Sequence, residues 1–128
     1  MIHRFHADCQ ARLQLELNRL QHSIVQLLQQ ENHAAEAALA LRLQQHPVSS
    51  WPDLLTANKP WCIRQQLERL EAVIAALSQI ELKLYGVCSD CEAQIEQERL
   101  ELDAASQRCT QCEERHKKRD EISLLKRS

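Results

Sequence analysis

Leu13, Leu17, Leu20, Ile24, Leu27, Ala34, Ala38 and Leu41 recur at alternating spacings of four and three, interrupted once, at Glu31. On an α-helix that spacing places the side chains along one stripe, so the pattern predicts a heptad seam. No proline or glycine falls between about Asp8 and Gln45, and Asp8 is a suitable N-cap. A continuous helix over this stretch is roughly 55 Å long at 1.5 Å per residue. An apolar stripe of that length needs a partner. Ile63, Leu67, Leu70, Ile74, Leu77 and Leu84 repeat the spacing, with Glu81 as the polar intrusion. Residues 46–60 separate the two seams and hold three prolines and two serines, which break helical pairing. The pattern predicts an antiparallel coiled-coil hairpin with residues 46–60 at its tip. A coiled-coil dimer between chains is the alternative, and a monomer is expected.

Composition supports helices and excludes other folds. The chain has 128 residues, one domain's worth, and no apolar run long enough to span a membrane. Its single glycine and three prolines leave little tight-turn chemistry for a sheet-rich fold. Leucine, alanine, glutamine, glutamate and arginine, all good helix formers, dominate. The aromatic residues are Phe5, Trp51, Trp61 and Tyr85, too few for a large aromatic core. Stability must therefore draw on something besides the seam.

Cysteine spacing supplies it. Cys88 and Cys91 form one Cys-x-x-Cys pair and Cys109 and Cys112 another, with seventeen residues between. Two residues between cysteines let one tight turn aim both sulfurs at one metal, and two such turns complete a tetrahedral thiolate set. This predicts one structural Zn2+ per chain. The competing reading is a pair of redox dithiols or disulfides. The opening Met1-Ile2-His3-Arg4-Phe5-His6 leads into polar and charged residues rather than the apolar core of a secretory leader. A reducing, cytoplasmic setting is therefore expected, and with it zinc. Four protein ligands leave no open coordination position, so the site reads as a folding device and the protein as a non-enzyme.

Gly86 stands just before the first cysteine, where a positive φ would end the second long helix and turn the chain into the metal site. After Cys112, residues 113–126 read as a final helix with Ile122 and Leu125 available for docking. The predicted fold is thus mainly α, an antiparallel coiled-coil hairpin with a small four-cysteine zinc module and a C-terminal helix. Its two parts are residues 1–84, the N-terminal segment and hairpin, and residues 85–128, the zinc-finger module.

The formal charge is −2. Four thiolates around one zinc ion take it to about −4, opposite to the basic excess of nucleic-acid binders. The basic run Arg115-His116-Lys117-Lys118-Arg119 lies between Glu113-Glu114 and Asp120-Glu121, and reads as a solvated helix face. Sequence-specific DNA binding is not expected. His3, His6 and Cys9 have ligand-like spacing but read as a surface helix start, and Cys9 and Cys62 as free thiols. Trp51 and Trp61 bracket the tip. They either pack together to close the hairpin or offer one exposed anchor to a partner.

The stretch Tyr85-Gly86-Val87-Cys88-Ser89-Asp90-Cys91, then Ile95, Arg99-Leu100-Glu101 and Cys109-Thr110-Gln111-Cys112, resembles the DksA/TraR family. Those proteins share the aromatic-Gly-x-Cys-x-x-Cys entry, the Arg-Leu-Glu step and the second pair at this separation. The resemblance is close over residues 83–116. It implies a regulator that binds bacterial RNA polymerase, enters its secondary channel by the coiled-coil tip and modulates initiation without reading DNA sequence. The alternative is a zinc-stabilised protein-interaction adaptor on the same scaffold.

Two positions depart from the family pattern. In DksA the tip carries Asp-x-x-Asp-x-Ala; here His46 and Ser49 fall where the aspartates would be, and Asp53 is the one acid in the connecting segment. One carboxylate cannot supply the paired oxygens that hold a magnesium ion, so transcript cleavage is not expected. The expected partner-binding tip is therefore His46, Ser49, Trp51 and Asp53. Where DksA has basic residues for ppGpp, this chain has Asp103 and Glu113, which repel polyphosphate. Synergy with ppGpp is expected to be weak or absent.

Overall fold

The computed structural model describes residues 2–31, 33–58 and 61–126. Those residues form α1 (Ile2–Gln30), α2 (Ala34–Gln44), α3 (Trp51–Asn58), α4 (Arg64–Glu81), α5 (Gln97–Leu102) and α6 (Thr110–Lys126). Short 3-10 turns, Val48–Ser50 and Trp61–Ile63, precede α3 and α4. The chain is mainly helical, and among the described residues the only extended pairing is an isolated antiparallel bridge between Val87 and Gln94. None of the described helices is long and apolar enough to cross a membrane. Lys59 and Pro60 of the expected tip, and the side chains of His3 and Leu125, lie outside the described residues.

The first long helix is two helices. α1 starts at Ile2, so Asp8 is an exposed residue within it rather than its cap. Helix α1 ends at Gln30, and His33 is extended, with φ −112° and ψ 140°. Polar Glu31 falls where the seam needs an apolar side chain, and with polar Asn32 and His33 following it nothing apolar is gained by staying helical. Beyond the break the helical phase is reset. Ala34, Ala38 and Leu41 are exposed, and Leu39, Ala40 and Leu43 are buried instead. Helix α2 runs back along α1, so that Leu43 shares a surface cavity with His22 and Val25.

Helix α2 stops at Pro47, whose φ of −64° and ψ of 150° take the chain out of the helix. Pro52 sits in the first turn of α3, where its missing N–H costs nothing. Residues 46–58 are therefore folded onto the helices rather than looped out. Trp51 and Leu55 are buried, and Trp51 donates its indole N–H to the His46 carbonyl at 3.2 Å.

Helices α1 and α4 pack against each other. Glu16 meets Arg69 near their middles, and His6 meets the Tyr85 ring just past α4, so the two run in opposite directions. Leu13, Leu17, Ile24 and Leu28 of α1 and Leu70, Val73 and Ala76 of α4 are buried between the layers. A buried leucine contributes about 1.5–3 kcal/mol relative to exposure, so this pair is the main apolar core. Because α4 also touches α3, its buried face is wider than one heptad stripe.

Candidate metal centre

Helix α4 ends one turn earlier than its glycine suggests. Leu84 N–H reaches back to the Gln79 carbonyl at 2.8 Å and Lys83 N–H to Ile80 at 3.1 Å, with Lys83 at φ 61°. This is the glycine-type helix stop with a lysine in the left-handed position. Gly86, at φ 86°, does the next job and opens a tight hairpin. Ile95 N–H bonds to the Gly86 carbonyl and Cys88 N–H to the Ala93 carbonyl, each at 2.7 Å. Cys88 and Cys91 lie within that hairpin. Cys109 and Cys112 lie at the start of α6, where the Glu96 carboxylate accepts the Thr110 N–H at 3.2 Å.

The four Sγ atoms all lie within 4.8 Å of one another, with Cys91 and Cys109 Sγ 3.8 Å apart. Sulfurs about 2.3 Å from a tetrahedral zinc sit about 3.8 Å from each other, so the donor set fits such an ion. Cys88, Cys109 and Cys112 are buried and Cys91 is exposed. Burial raises the Cys88 pKa, but backbone amides of Cys109, Cys91 and Asp90 outweigh it and bring the thiol to about 6. Hydrogen bonding to Cys109, then burial, pushes Cys112 up to about 12. One sulfur is thus ready as a thiolate while others hold protons that a metal must displace. Asp90, Arg115, His116 and Arg119 line the space beside Cys91 and Cys112.

The chain between the cysteine pairs is held from several sides. Arg99 Nε donates to the Arg108 carbonyl at 3.2 Å, and Leu100 beside it is buried. Ser89 donates its N–H at 2.9 Å and its hydroxyl at 2.7 Å to the Gln107 carbonyl, tying the first pair to the approach to the second. Arg108 pairs with Asp90 at 3.0 Å and more loosely with Glu113 at 3.8 Å. Toward the helices, the buried Tyr85 hydroxyl donates to the Ala104 carbonyl at 2.6 Å, and Gln79 donates to Gln107 at 2.7 Å. Arg69 on α4 donates to both Asp103 oxygens, at 2.9 and 2.8 Å, and to both oxygens of Glu16 on α1. Asp103 and Glu113, which sequence reasoning treated as anion-repelling, are the partners of arginines.

The residues expected at a tip differ in exposure. His46, Ser49 and Asp53 are exposed, whereas Trp51 is buried and unavailable to a partner. Nor do the two tryptophans close an end together, because Trp61 is 81% exposed, with the Arg64 guanidinium 5.5 Å from its ring. Trp61 begins the turn leading into α4, and at the next residue burial, then the charge of Glu31 at the end of α1, raises the Cys62 thiol pKa. The Glu31–Trp61 region is the end of the α1–α4 pair away from the cysteines. His6 packs edge-on against Tyr85 at 5.2 Å and Cys9 is buried, so neither stands free to ligate a second metal.

No protein-family model matches the chain, and neither a curated protein nor a solved structure matches it.

Proposed function

We propose that this protein is a zinc-stabilised, non-enzymatic regulator of the DksA/TraR type that binds bacterial RNA polymerase and modulates initiation. The observation that carries this reading is the convergence of four sulfurs at the foot of an antiparallel helix pair. Details of the resembling stretch support it. Gly86 takes the positive φ that the aromatic-Gly entry requires, and Arg99 of the Arg-Leu-Glu step braces the second cysteine pair. Zinc is the metal this thiolate set favours under reducing conditions. The end entering the polymerase channel is then the Glu31–Trp61 region, with Trp61 and Arg64 as anchors, since both residue types are enriched at binding hot spots.

One observation favours the adaptor reading. Residues 46–58 fold onto the helices with Trp51 buried, so the expected tip is spent on packing. Binding of zinc-loaded protein to core polymerase, with DksA as competitor, separates the two. Competitive binding supports the regulator; no binding, or binding that DksA leaves untouched, leaves the adaptor.

A further inference from the structure

Arg69 is far from the sulfurs in sequence, yet it lies on an unbroken chain of polar contacts that starts at them. The hairpin holding Cys88 and Cys91 contributes Ser89 and Asp90, which grip Gln107 and Arg108. Residues 103–108 form a tight loop of their own. Ala105 N–H bonds to the Asp103 carboxylate at 2.9 Å, and the Ser106 N–H and hydroxyl bond to the Asp103 carbonyl at 3.1 and 2.8 Å. That loop presents the Asp103 carboxylate to Arg69, and Arg69 presents its remaining donors to Glu16. The guanidinium fork is thus shared between two carboxylates, one on the cysteine module and one on the opposite long helix.

The 103–108 loop runs straight into Cys109 and has Ala104 and Ala105 as its buried apolar contacts. Its order depends on being pinned at both ends. A metal held by the four cysteines would pin the Cys109 end. Arg69, Gln79 and Tyr85 pin the other; Tyr85 also packs against His6 of α1, and Arg69 joins the loop to α1 by hydrogen bonds to both Asp103 and Glu16.

We propose that the Glu16–Arg69–Asp103 bridge couples the metal site to the α1–α4 pair, with Arg69 a positioning residue for the metal and the metal a clamp on the helices. Coupling of this kind is reciprocal. If the bridge strengthens metal binding by some factor, metal strengthens the bridge by the same factor. The inference rests on metal binding by the four cysteines and does not depend on the polymerase reading.

The test is zinc affinity, measured by competition with a chromophoric chelator for wild type, Arg69→Met, Glu16→Gln and Asp103→Asn. Arg64→Met is the control for zinc affinity, since Arg64 lies at the end of α4 away from the cysteines, near Trp61 and exposed Glu68. Arg69→Met is expected to weaken zinc binding by about tenfold, within the usual range of intersite coupling, and Arg64→Met to leave it unchanged. Glu16→Gln decides the matter, because Glu16 sits on α1 and, among the described residues, its hydrogen bonds go to Arg69 rather than to the module; a several-fold loss is expected. The two glutamine and asparagine variants keep side-chain shape, so they report even if Arg69→Met fails to fold. Amide exchange of α1 and α4 is read with and without zinc. Zinc should slow it in wild type and do so less in Glu16→Gln. Zinc affinity within about twofold of wild type for Glu16→Gln overturns the proposal, whatever Asp103→Asn does, given typical couplings of fivefold or more. A wild-type chain that takes up no zinc overturns it together with the metal reading.

Discussion

Each cysteine in the cluster is replaceable in size but not in chemistry, because serine offers no thiolate. Cys109→Ser is expected to abolish stoichiometric zinc uptake, read by elemental analysis. Cys9→Ser and Cys62→Ser should keep one zinc per chain, since neither thiol belongs to the sulfur cluster. At Gly86 an added Cβ meets only Leu100 Cδ1, at an ordinary 3.7 Å, so steric crowding is not the obstacle. The cost of Gly86→Ala comes from the positive φ and should be about 1–2 kcal/mol in denaturant unfolding. Asp103 predicts a pH dependence. The hydrogen bonds from Arg69 outweigh burial and hold its carboxyl below the ordinary 3.8. A carboxyl depressed in the folded state stabilises fully above its unfolded value and loses that contribution as pH falls through the folded one. Wild type should therefore lose stability below about pH 4, and Asp103→Asn should show a shallower loss over that window.

Among the elements, α1 was legible because Leu13, Leu17 and Ile24 are buried as their spacing says. Of the seam expected in α4, Ile63 and Leu70 are buried, but Leu84 is exposed beyond the helix end, and Val73 and Ala76 are buried instead. Helix α2 was not legible. A heptad count carried across Glu31 keeps its phase only if the helix continues, and a polar seam position followed by two more polar residues removes the reason to continue. The rotated face is testable. Leu43→Ala should cost about 2–5 kcal/mol, as for other buried leucines, while Leu41→Ala, at an exposed site, should change stability little. The prolines of residues 46–60 were read as a loop because proline breaks helices, yet Pro52 is compatible with a first turn. Trp51 then had something to pack on, which local spacing could not reveal. Of the metal site, all four donors were readable from sequence, since the spacing of a turn is a local property. The Glu16–Arg69–Asp103 bridge was not, because it joins three segments that only the tertiary fold brings together.

At the scale of the whole molecule, the apolar α1–α4 core runs along α4, while the sulfur cluster lies past its C-terminal end and would add stability once metal is bound. Chelation should therefore disorder residues 85–112 while much of the helical circular-dichroism signal persists, although structural zinc contributes on the order of 10 kcal/mol to its own module. The far end of the molecule carries the other expectation. Trp61 is 81% exposed, with the Arg64 guanidinium 5.5 Å from its ring, so removing it deletes little packing. Trp61→Ala should leave the unfolding free energy within about 0.5 kcal/mol of wild type, as surface substitutions do. If the Glu31–Trp61 end is what meets the polymerase, the same substitution should weaken binding by about 2 kcal/mol or more, roughly thirtyfold. Trp51→Ala should behave in the opposite way, losing about 3–5 kcal/mol of stability because its ring is buried. Titration of core polymerase with both variants, alongside their unfolding curves, separates anchor from core. Unaltered polymerase binding by a stable Trp61→Ala protein would remove this end of the molecule from the interface.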